Sequence, residues 1–202
     1  MEAKHVITID REFGSGGSDI GIKLAQHFGI PFYDKELTRL ASEHGGLDEE
    51  FMTENEERAP IVSTTAFARK GLSVFYQPSL SDTIFLDQSK IIREMAAKGP
   101  CVIVGRAADY VLRDMGTVDV FISAGIEYKK ARRRKRDAPN ERDFNDEQLE
   151  KYIRDIDKQR QKYYEHYTGR RWGMIGNYHL CIWVDDIGSD GAVDVILKYI
   201  DY

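Results

Sequence analysis

The stretch of sequence that decides the fold is HVITIDREFGSGGSDI, residues 5–20. It opens with a short β-branched apolar run, residues 5–10, which predicts a buried strand. Four small residues, 14–17, follow shortly after, and from Ser18 to Phe28 apolar residues recur at every fourth position, as on one face of a helix. A glycine-rich turn between a buried strand and a helix presents backbone N–H groups beside the helix N-terminus, an arrangement suited to phosphate groups.

Two phosphate-binding motifs can be compared with this turn, and neither matches it strictly. The dinucleotide motif G-x-G-x-x-G lacks its third glycine, because Asp19 stands at that position. The P-loop motif G-x-x-x-x-G-K-[ST] places its second glycine on Gly16 and its Ser/Thr on Ser18. Gly17 then takes the lysine position, and Arg11 takes the position of the first glycine. We expect phosphate binding here, with a tight glycine turn that binds no ligand as the alternative.

Short apolar runs alternate with helical patterns along the rest of the chain. Four of these runs predict further strands, at residues 30–33, 101–104, 118–122 and 179–184. Helical patterns cover residues 35–43, 81–98, a segment ending at about 115, much of 127–166, and 190–199. Because the strands are continuously apolar, as in strands covered on both faces, we expect a three-layer α/β/α fold with a five-stranded parallel sheet, in a single domain over residues 1–202.

The composition argues against several classes of protein. Two cysteines, Cys101 and Cys181, are too few for a disulfide framework or a four-thiolate zinc site. Since each lies in an apolar run, both are expected to be buried, reduced thiols, as in the cytosol. The start of the chain has no signal-peptide pattern, and no apolar run approaches the roughly 20 residues of a spanning helix. The expectation is therefore a cytoplasmic chain of 202 residues without a membrane partner.

The net charge of −5 hides an asymmetry along the chain. Residues 126–171 carry 15 Lys and Arg against 10 Asp and Glu, whereas the remaining residues carry 14 against 24. A basic segment on an acidic protein favours one site for a small anion over a general polyanion surface. A solvated, salt-bridged helix explains the same charges. An RNA-binding patch over residues 129–136 is a third interpretation, which the acidic total disfavours.

Four segments, in this order, resemble the cytidylate kinase-like family of P-loop nucleoside monophosphate kinases. They read ITIDREFGSGGSDIGIKLA (7–25), FYDKELTRLA (32–41), VIVGRAADYVL (102–112) and VDVFISAGIEYKKARRRKRD (118–137), the last followed by RDIDKQRQKYYEHYTG (154–169). The resemblance covers nearly the whole chain, least clearly residues 47–77. It implies a P-loop kinase fold with a helical nucleotide-binding excursion over about residues 47–78. It also implies a basic lid with its lid helix over about residues 126–171.

The resemblance implies a phosphotransferase that moves the γ-phosphate of ATP, with Mg²⁺ present, to a nucleoside monophosphate or a related small acceptor. Phosphoryl transfer needs positioning and positive charge more than covalent chemistry. The residues implied for ATP are Arg11, Gly14, Ser15, Gly16, Gly17, Ser18 and Asp19, with Ser18 also at the metal. Those implied for the acceptor are Asp34, Arg39 and Arg106. The implied catalytic set is Arg132, Arg136, Asp157 and Arg160, with Arg133 and Arg134 as further lid arginines.

Structural roles are open alternatives for several of these residues. Asp157 and Arg160, three positions apart, also fit an ordinary ion pair on a helix. Asp34 also fits a helix cap, and Arg39 a surface residue. Arg106 is the best placed for a ligand, because it ends a buried strand, where open α/β sheets bind ligands. The aromatic residues of the lid segment are expected to pack its helix against the body: Tyr163, Tyr164, Tyr167 and Trp172.

Two departures from the family pattern bear on the activity. Gly17 removes the lysine that contacts the β- and γ-phosphates in ordinary P-loop enzymes, so Arg11, Lys23 or a lid arginine has to replace it if phosphate is transferred. Ala107 stands where cytidylate kinases usually carry Asp, which leaves the acceptor's identity open. The alternative function is a non-catalytic nucleotide- or phosphate-binding protein. The expected partner is a small nucleotide and no nucleic acid, with the chain a monomer or a homodimer.

Overall fold

The computed structural model describes residues 5–34 and 80–201. The predicted helix over 35–43, Arg39 and the excursion over 47–78 lie outside the described residues. Within these ranges the strands are β1 (Ile7–Arg11), β2 (Phe32–Tyr33), β3 (Val102–Val104), β4 (Val118–Ser123) and β5 (Leu180–Trp183). The helices are α1 (Gly17–Phe28), α2 (Leu80–Ala97), α3 (Ala108–Val111), α4 (Ile126–Arg136), α5 (Asp146–Thr168) and α6 (Gly188–Ile200), with a 3-10 turn at Ile175–Asn177.

The strands form one parallel sheet in the order β2-β3-β1-β4-β5. Strand β1 lies at the centre, where Ile7 pairs with Val102 on one side and with Val118 on the other. Every residue of β1 and β3 is buried, as expected for parallel strands covered on both faces. The predicted three-layer α/β fold is confirmed. Because the strands are parallel, their carboxyl ends lie together at one edge of the sheet, which we call the carboxyl edge.

Helices cover the two faces of the sheet and close two separate apolar clusters. On one face, Ile20 of α1 and Ile196 of α6 are fully buried in a cluster that includes the β1 side chains. On the other face, Ile92 of α2 and Leu112, just after α3, are fully buried against β3. Burying one such side chain contributes about 1.5–3 kcal/mol. The two clusters therefore hold the three layers together.

The outermost strand, β5, departs from the expectation that every strand is buried on both faces. Ile182 is buried, whereas Cys181 and Trp183 are exposed. Successive side chains of a strand point to opposite faces, and this edge strand is covered on one face only. The prediction of two buried thiols is thus confirmed for Cys101 and wrong for Cys181. Burial raises the pKa of Cys101 to about 11, which keeps this thiol protonated.

The helix expected to reach residue 115 is a single turn, α3. Three consecutive residues in front of it, Gly105, Arg106 and Ala107, have φ angles of 75°, 56° and 52°. This is the left-handed region, which costs an L residue other than glycine about 1–2 kcal/mol. The chain therefore leaves β3 through a strained turn instead of entering a long helix. The strained turn holds Arg106 at the carboxyl edge, and strain of this kind concentrates at functional sites.

The long helix α5 begins with a reciprocal cap. The Asn145 side chain accepts a hydrogen bond from the Gln148 backbone N–H at 2.8 Å, and the Gln148 side chain accepts from the Asn145 N–H at 2.8 Å. Two backbone donors that the helix geometry leaves without partners are satisfied in this way. The cap fixes where the lid helix starts.

We expect Asn145→Ala to lower the free energy of unfolding by about 1 kcal/mol, because alanine cannot accept the N–H bond. Denaturant unfolding followed by circular dichroism measures this value. The control is Gln161→Ala in the same helix, which removes only an exposed 3.0 Å contact with Glu165 and should change stability by less than about 0.5 kcal/mol. Equal losses in the two variants would contradict the capping role.

Candidate functional site

The glycine turn lies at the carboxyl edge, directly after the central strand. Gly14 and Gly16 adopt left-handed φ angles of 82° and 98°, which residues with a side chain rarely adopt. The Ile20 N–H donates to the Gly16 carbonyl at 3.0 Å, the first hydrogen bond of α1. The N–H groups of residues before Ile20 in α1 have no partner within the helix, as at every helix N-terminus. These N–H groups and the helix dipole make the turn fit for an anion.

The basic helix α4 packs directly onto this turn. A Cβ atom added to Gly14 would lie 3.2 Å from the Lys129 Cβ atom. One added to Gly16 would lie 3.3 Å from the Arg132 guanidinium carbon and 3.1 Å from the Ser189 hydroxyl. The glycines therefore leave room for cationic side chains against the backbone of the turn.

Asp34, which follows β2, connects three predicted site residues. Its carboxylate accepts a hydrogen bond from the Ser18 hydroxyl at 2.8 Å and one from Arg106 Nη1 at 3.0 Å. Arg11 Nη2 lies 3.9 Å from the same carboxylate. Arg11 is 6% exposed and Arg106 2% exposed, so two buried guanidinium groups converge on one acid. The structure thus brings together residues expected at the ATP site and residues expected at the acceptor site. Arg39 lies outside the described residues.

A buried lysine, which the sequence analysis did not single out, holds the turn in place. Lys129 Nζ lies 2.8 Å from Glu12 Oε2 and 3.0 Å from Asp157 Oδ2. Asp157 also accepts the Phe13 N–H at 2.6 Å, and Glu12 accepts the Ala124 N–H at 3.0 Å. Burial raises the pKa of Asp157 in spite of the nearby ammonium group. Asp157 therefore contacts the backbone of the turn and acts on its position.

The lid arginines are paired with carboxylates in this conformation. Arg132 binds Asp19 in the first turn of α1. Arg133 binds Glu141 with an Nε to Oε2 distance of 2.7 Å and lies over the Phe13 ring at 4.4 Å. Asp19 and Phe13 join α4 to the region of the glycine turn, whereas Glu141 joins Arg133 to the segment that follows α4.

The remaining predicted arginines lie at different distances from the turn. Arg134 pairs with Asp146 at 3.1 Å. Arg136 is exposed at the end of α4, with no ion pair to the described residues. Arg160 donates to the Arg11 carbonyl at 3.1 Å, which places its guanidinium group beside the last residue of β1. The structure therefore gathers Arg132 and Arg160 around the turn and leaves Arg136 at the rim.

Two small cavities lie among the described residues of this part of the molecule. A cavity of about 50 Å³ lies between α4 and α5, beside Arg133 and Arg142. A second, of about 10 Å³, lies beside Asp10, Arg106 and Arg160. The second cavity therefore lies next to two of the predicted site arginines.

Two buried acids lie behind the turn and anchor the lid segment. Asp10 Oδ2 accepts from Trp172 Nε1 at 2.7 Å and from the Tyr178 hydroxyl at 3.1 Å. Asp109 accepts from the Tyr164 hydroxyl at 2.7 Å. Burial, followed by the nearby charge of Asp10, raises the pKa of Asp109 to about 7. The expected packing of the lid aromatics against the body is confirmed: Tyr163, Tyr164, Tyr167 and Trp172 all take part.

The donor atoms at the site suit a hard cation that is shared with phosphates. Among residues 5–34 and 80–201, no group of three or more His, Cys, Asp or Glu side chains could hold a metal by itself. Mg²⁺ commonly binds one or two carboxylate or hydroxyl oxygens and completes its shell with phosphates and water. The Ser18 hydroxyl and the Asp34 carboxylate fit that requirement. No helix of the described chain has the length and apolar character needed to cross a membrane.

One family model and several solved structures match most of this chain. The model of the cytidylate kinase-like family matches residues 6–186. An uncharacterized protein from Eubacterium ventriosum has 28% identity to this chain, with 98% of each chain covered and a TM-score of 0.72. A search of the curated proteins finds no match.

More distant solved structures have the same fold. Shikimate kinase from Bacteroides thetaiotaomicron has 15% identity, with 98% of this chain and 99% of that chain covered and a TM-score of 0.58. A gluconokinase from Sinorhizobium meliloti has 13% identity, with 100% and 96% covered and a TM-score of 0.52. At these identities the likeness concerns the fold alone.

We expect Lys129→Met to lower the free energy of unfolding by about 3 kcal/mol, because two part-buried carboxylates lose their shared cation. The control is Lys135→Met, an exposed position on the same helix, for which the change should stay within about 0.5 kcal/mol. Denaturant unfolding at pH 7 measures both. A Lys129 variant as stable as the control would show that the buried lysine does not hold the turn.

The raised pKa of Asp109 predicts a pH dependence of stability. The native state keeps this proton to about pH 7, whereas the unfolded chain loses it near pH 4. The contribution of Asp109 to the free energy of unfolding is therefore fully present below pH 4 and is lost as the pH rises to 7. Unfolding free energies of Asp109→Asn and the wild type, measured from pH 4 to 8, should diverge over this window in favour of the variant. Parallel curves would contradict the raised pKa.

Proposed function

The chain belongs to the cytidylate kinase-like family, and on that basis we propose that it moves the γ-phosphate of ATP to a nucleoside monophosphate or a related small acceptor. The observation that carries the proposal is the meeting of three elements at the carboxyl edge. These are the glycine turn, the Asp34–Arg106 pair and the basic helix α4. A kinase needs a phosphate cradle, an acceptor site and a cationic lid, and each element corresponds to one of these.

The glycine turn would bind the phosphates of ATP. The N–H groups of residues 16–18 would donate to phosphate oxygens, and the α1 dipole adds positive potential at the same point. The Ser15 N–H is engaged by the Glu12 carbonyl at 3.2 Å and shapes the turn instead. Arg132 binds Asp19 in the first turn of α1. When a nucleotide binds, Arg132 would leave Asp19 and bind the phosphates. Mg²⁺ would be held by Ser18 and Asp34 together with the phosphates, and it would supply further neutralisation of phosphate charge.

The acceptor would bind between Arg106 and the lid helix. Arg106 directly follows β3. Strands β3 and β4 pair with opposite sides of β1, so the strand order reverses at this point. Open α/β sheets bind ligands in the crevice at such a point. A guanidinium fork matches two oxygens of a phosphate group. Ala107 has no side chain that could recognise a base, so the proposal names the phosphate of the acceptor and not cytosine.

The lid arginines would neutralise charge as the phosphoryl group is transferred. In this conformation Arg132 binds the Asp19 carboxylate in the first turn of α1, where a nucleotide's phosphates would compete for it, and Arg133 binds Glu141 within the lid segment. Moving α4 away opens the turn, and closing it on a nucleotide replaces the Asp19 carboxylate by phosphate oxygens. Positioned cations of this kind account for most of the rate enhancement in phosphoryl transfer. Arg136 would reach the site only from the rim.

A second candidate function is nucleotide binding without phosphoryl transfer. The observation that favours it is Gly17 at the lysine position of the P-loop pattern. The two candidates share the cradle and differ in turnover. RNA binding by residues 129–136 receives less support, because Lys129, Arg132 and Arg133 of this segment are engaged by carboxylates.

Turnover with ATP·Mg²⁺ and a panel of nucleoside monophosphates tests the proposal, with ADP formation measured by a coupled assay. We expect turnover with at least one acceptor. We also expect Arg132→Met to lower kcat by about a hundredfold or more, because transition-state charge loses its lid cation.

The matched control is Arg154→Met, an exposed arginine of α5 paired with Glu150 at 2.7 Å, which should leave kcat unchanged. Thermal stabilisation by ATP without turnover on any acceptor would favour the non-catalytic candidate. A folded protein that ATP and ADP do not stabilise would contradict both.

A further inference from the structure

The pairing of Arg11 with Gly17 explains how this chain differs from an ordinary P-loop. A Cβ atom added to Gly17 would lie 2.6 Å from the Arg11 Cβ atom and 2.8 Å from its Cγ atom. Both Arg11 atoms belong to the rigid base of the side chain, and the backbone of Arg11 is fixed within β1. A lysine at position 17 and an arginine at position 11 therefore exclude each other.

Glycine at position 17 is required by space and not by backbone conformation. Gly17 has no left-handed φ, in contrast to Gly14 and Gly16 of the same turn. It opens the first turn of α1, where alanine would favour the helix by about 1 kcal/mol. The absent side chain is the one that would collide with the Arg11 stem. The Arg11 side chain thus occupies the space in which the side chain of a lysine at position 17 would start.

The Arg11 guanidinium group extends toward the expected metal and phosphate site. It lies 3.9 Å from Asp34 Oδ1, and Asp34 also accepts from the Ser18 hydroxyl at 2.8 Å. Its side chain is 7% exposed. Its backbone is held from both sides, since Arg11 N–H donates to Asp10 at 2.9 Å and the Arg11 carbonyl accepts from Arg160. The cation is therefore placed by the central strand, next to the first turn of α1.

Three other cations are less well placed than Arg11 to replace the lysine. Lys23 pairs with Asp190 of α6 and is 42% exposed. Lys129 is buried between Glu12 and Asp157. Arg132 lies on the lid helix α4 and pairs with Asp19, whereas the P-loop lysine belongs to the body. Among these four residues, Arg11 is the one held on the central strand and joined to Ser18 through Asp34.

We infer that Arg11 contacts the β- and γ-phosphates of the nucleotide and does from the end of β1 what the P-loop lysine does from the first turn of the helix. The two motif positions have exchanged residue types, with the cation at the first-glycine position and glycine at the lysine position. A guanidinium group at this place offers two parallel N–H donors to phosphate oxygens. The inference rests on the proposed nucleotide site.

Nucleotide affinities of Arg11 variants test the inference. Dissociation constants for ATP·Mg²⁺, ADP and AMP are measured by titration calorimetry, with folding checked by circular dichroism. For Arg11→Met, we expect affinity for ATP and ADP to fall about tenfold to a hundredfold, as for loss of charged hydrogen bonds. Affinity for AMP, which lacks the β- and γ-phosphates, should change less than threefold. Arg11→Lys should retain most of the ATP affinity.

The matched control is Arg93→Met, a half-exposed arginine of α2 paired with Asp114 at 3.0 Å, far along the chain from the turn. Its affinities should equal those of the wild type. If Arg11→Met does not fold, the pair R11G and R11G/G17K replaces it, because glycine at 11 opens room for lysine at 17. The exchanged variant should then bind ATP at least tenfold more tightly than R11G.

Wild-type ATP affinity in Arg11→Met, or an equal loss for ATP and AMP, would overturn the inference and leave the proposed function standing. The inference is also overturned, and the proposed function left standing, if R11G/G17K binds ATP no more tightly than R11G. If the wild-type protein binds neither ATP nor ADP, the proposed function fails and the inference fails with it. A selective loss for ATP and ADP supports both.

Discussion

The buried ammonium group of Lys129 is the contact on which the geometry of the carboxyl edge depends. Its two carboxylate partners, Glu12 and Asp157, lie on the glycine turn and on α5, so three distant segments share one charge. A buried ammonium needs such partners, and Asp157 adds the Phe13 N–H. The start of α4 is therefore fixed to the turn, while Arg132 farther along the helix pairs with the more exposed carboxylate of Asp19. A fixed start and an exchangeable contact beyond it would suit the closing lid of the proposed kinase.

The parallel sheet accounts for the chemistry of the edge, because it brings segments far apart in sequence to one line. Arg11, Asp34 and Arg106 each follow or end a different strand, and the two guanidinium groups meet at the Asp34 carboxylate. Asp34 links Ser18, which follows the glycine turn, to Arg106 in the strained turn after β3. Both guanidinium groups therefore lie near the place where strand order reverses. In the proposed kinase they would lie close to the charge that develops during transfer.

The sheet, the glycine turn and the order of elements could be predicted because their signals are local: apolar runs, fourfold spacing and small residues between them. The exposure of Cys181 could not, since it depends on β5 lying at the sheet edge. Arg106 could be singled out as a candidate from the sequence because it ends a strand. Lys129 was missed because it sits among Lys130, Arg132 and other basic residues of one helix. Only the partners from residues 12 and 157 distinguish it, and no local pattern encodes them.

The collision between Arg11 and any side chain at position 17 has an evolutionary consequence. A single substitution of Gly17 by lysine meets the Arg11 stem, and a single loss of Arg11 leaves the turn with glycine where a cation belongs. A protein that carries only one of the two substitutions is at a disadvantage relative to this motif and to the ordinary P-loop. The effect of each substitution therefore depends on the other, which makes the two changes epistatic. Sequences with this exchange are expected to persist as a separate lineage and to escape searches written around the lysine.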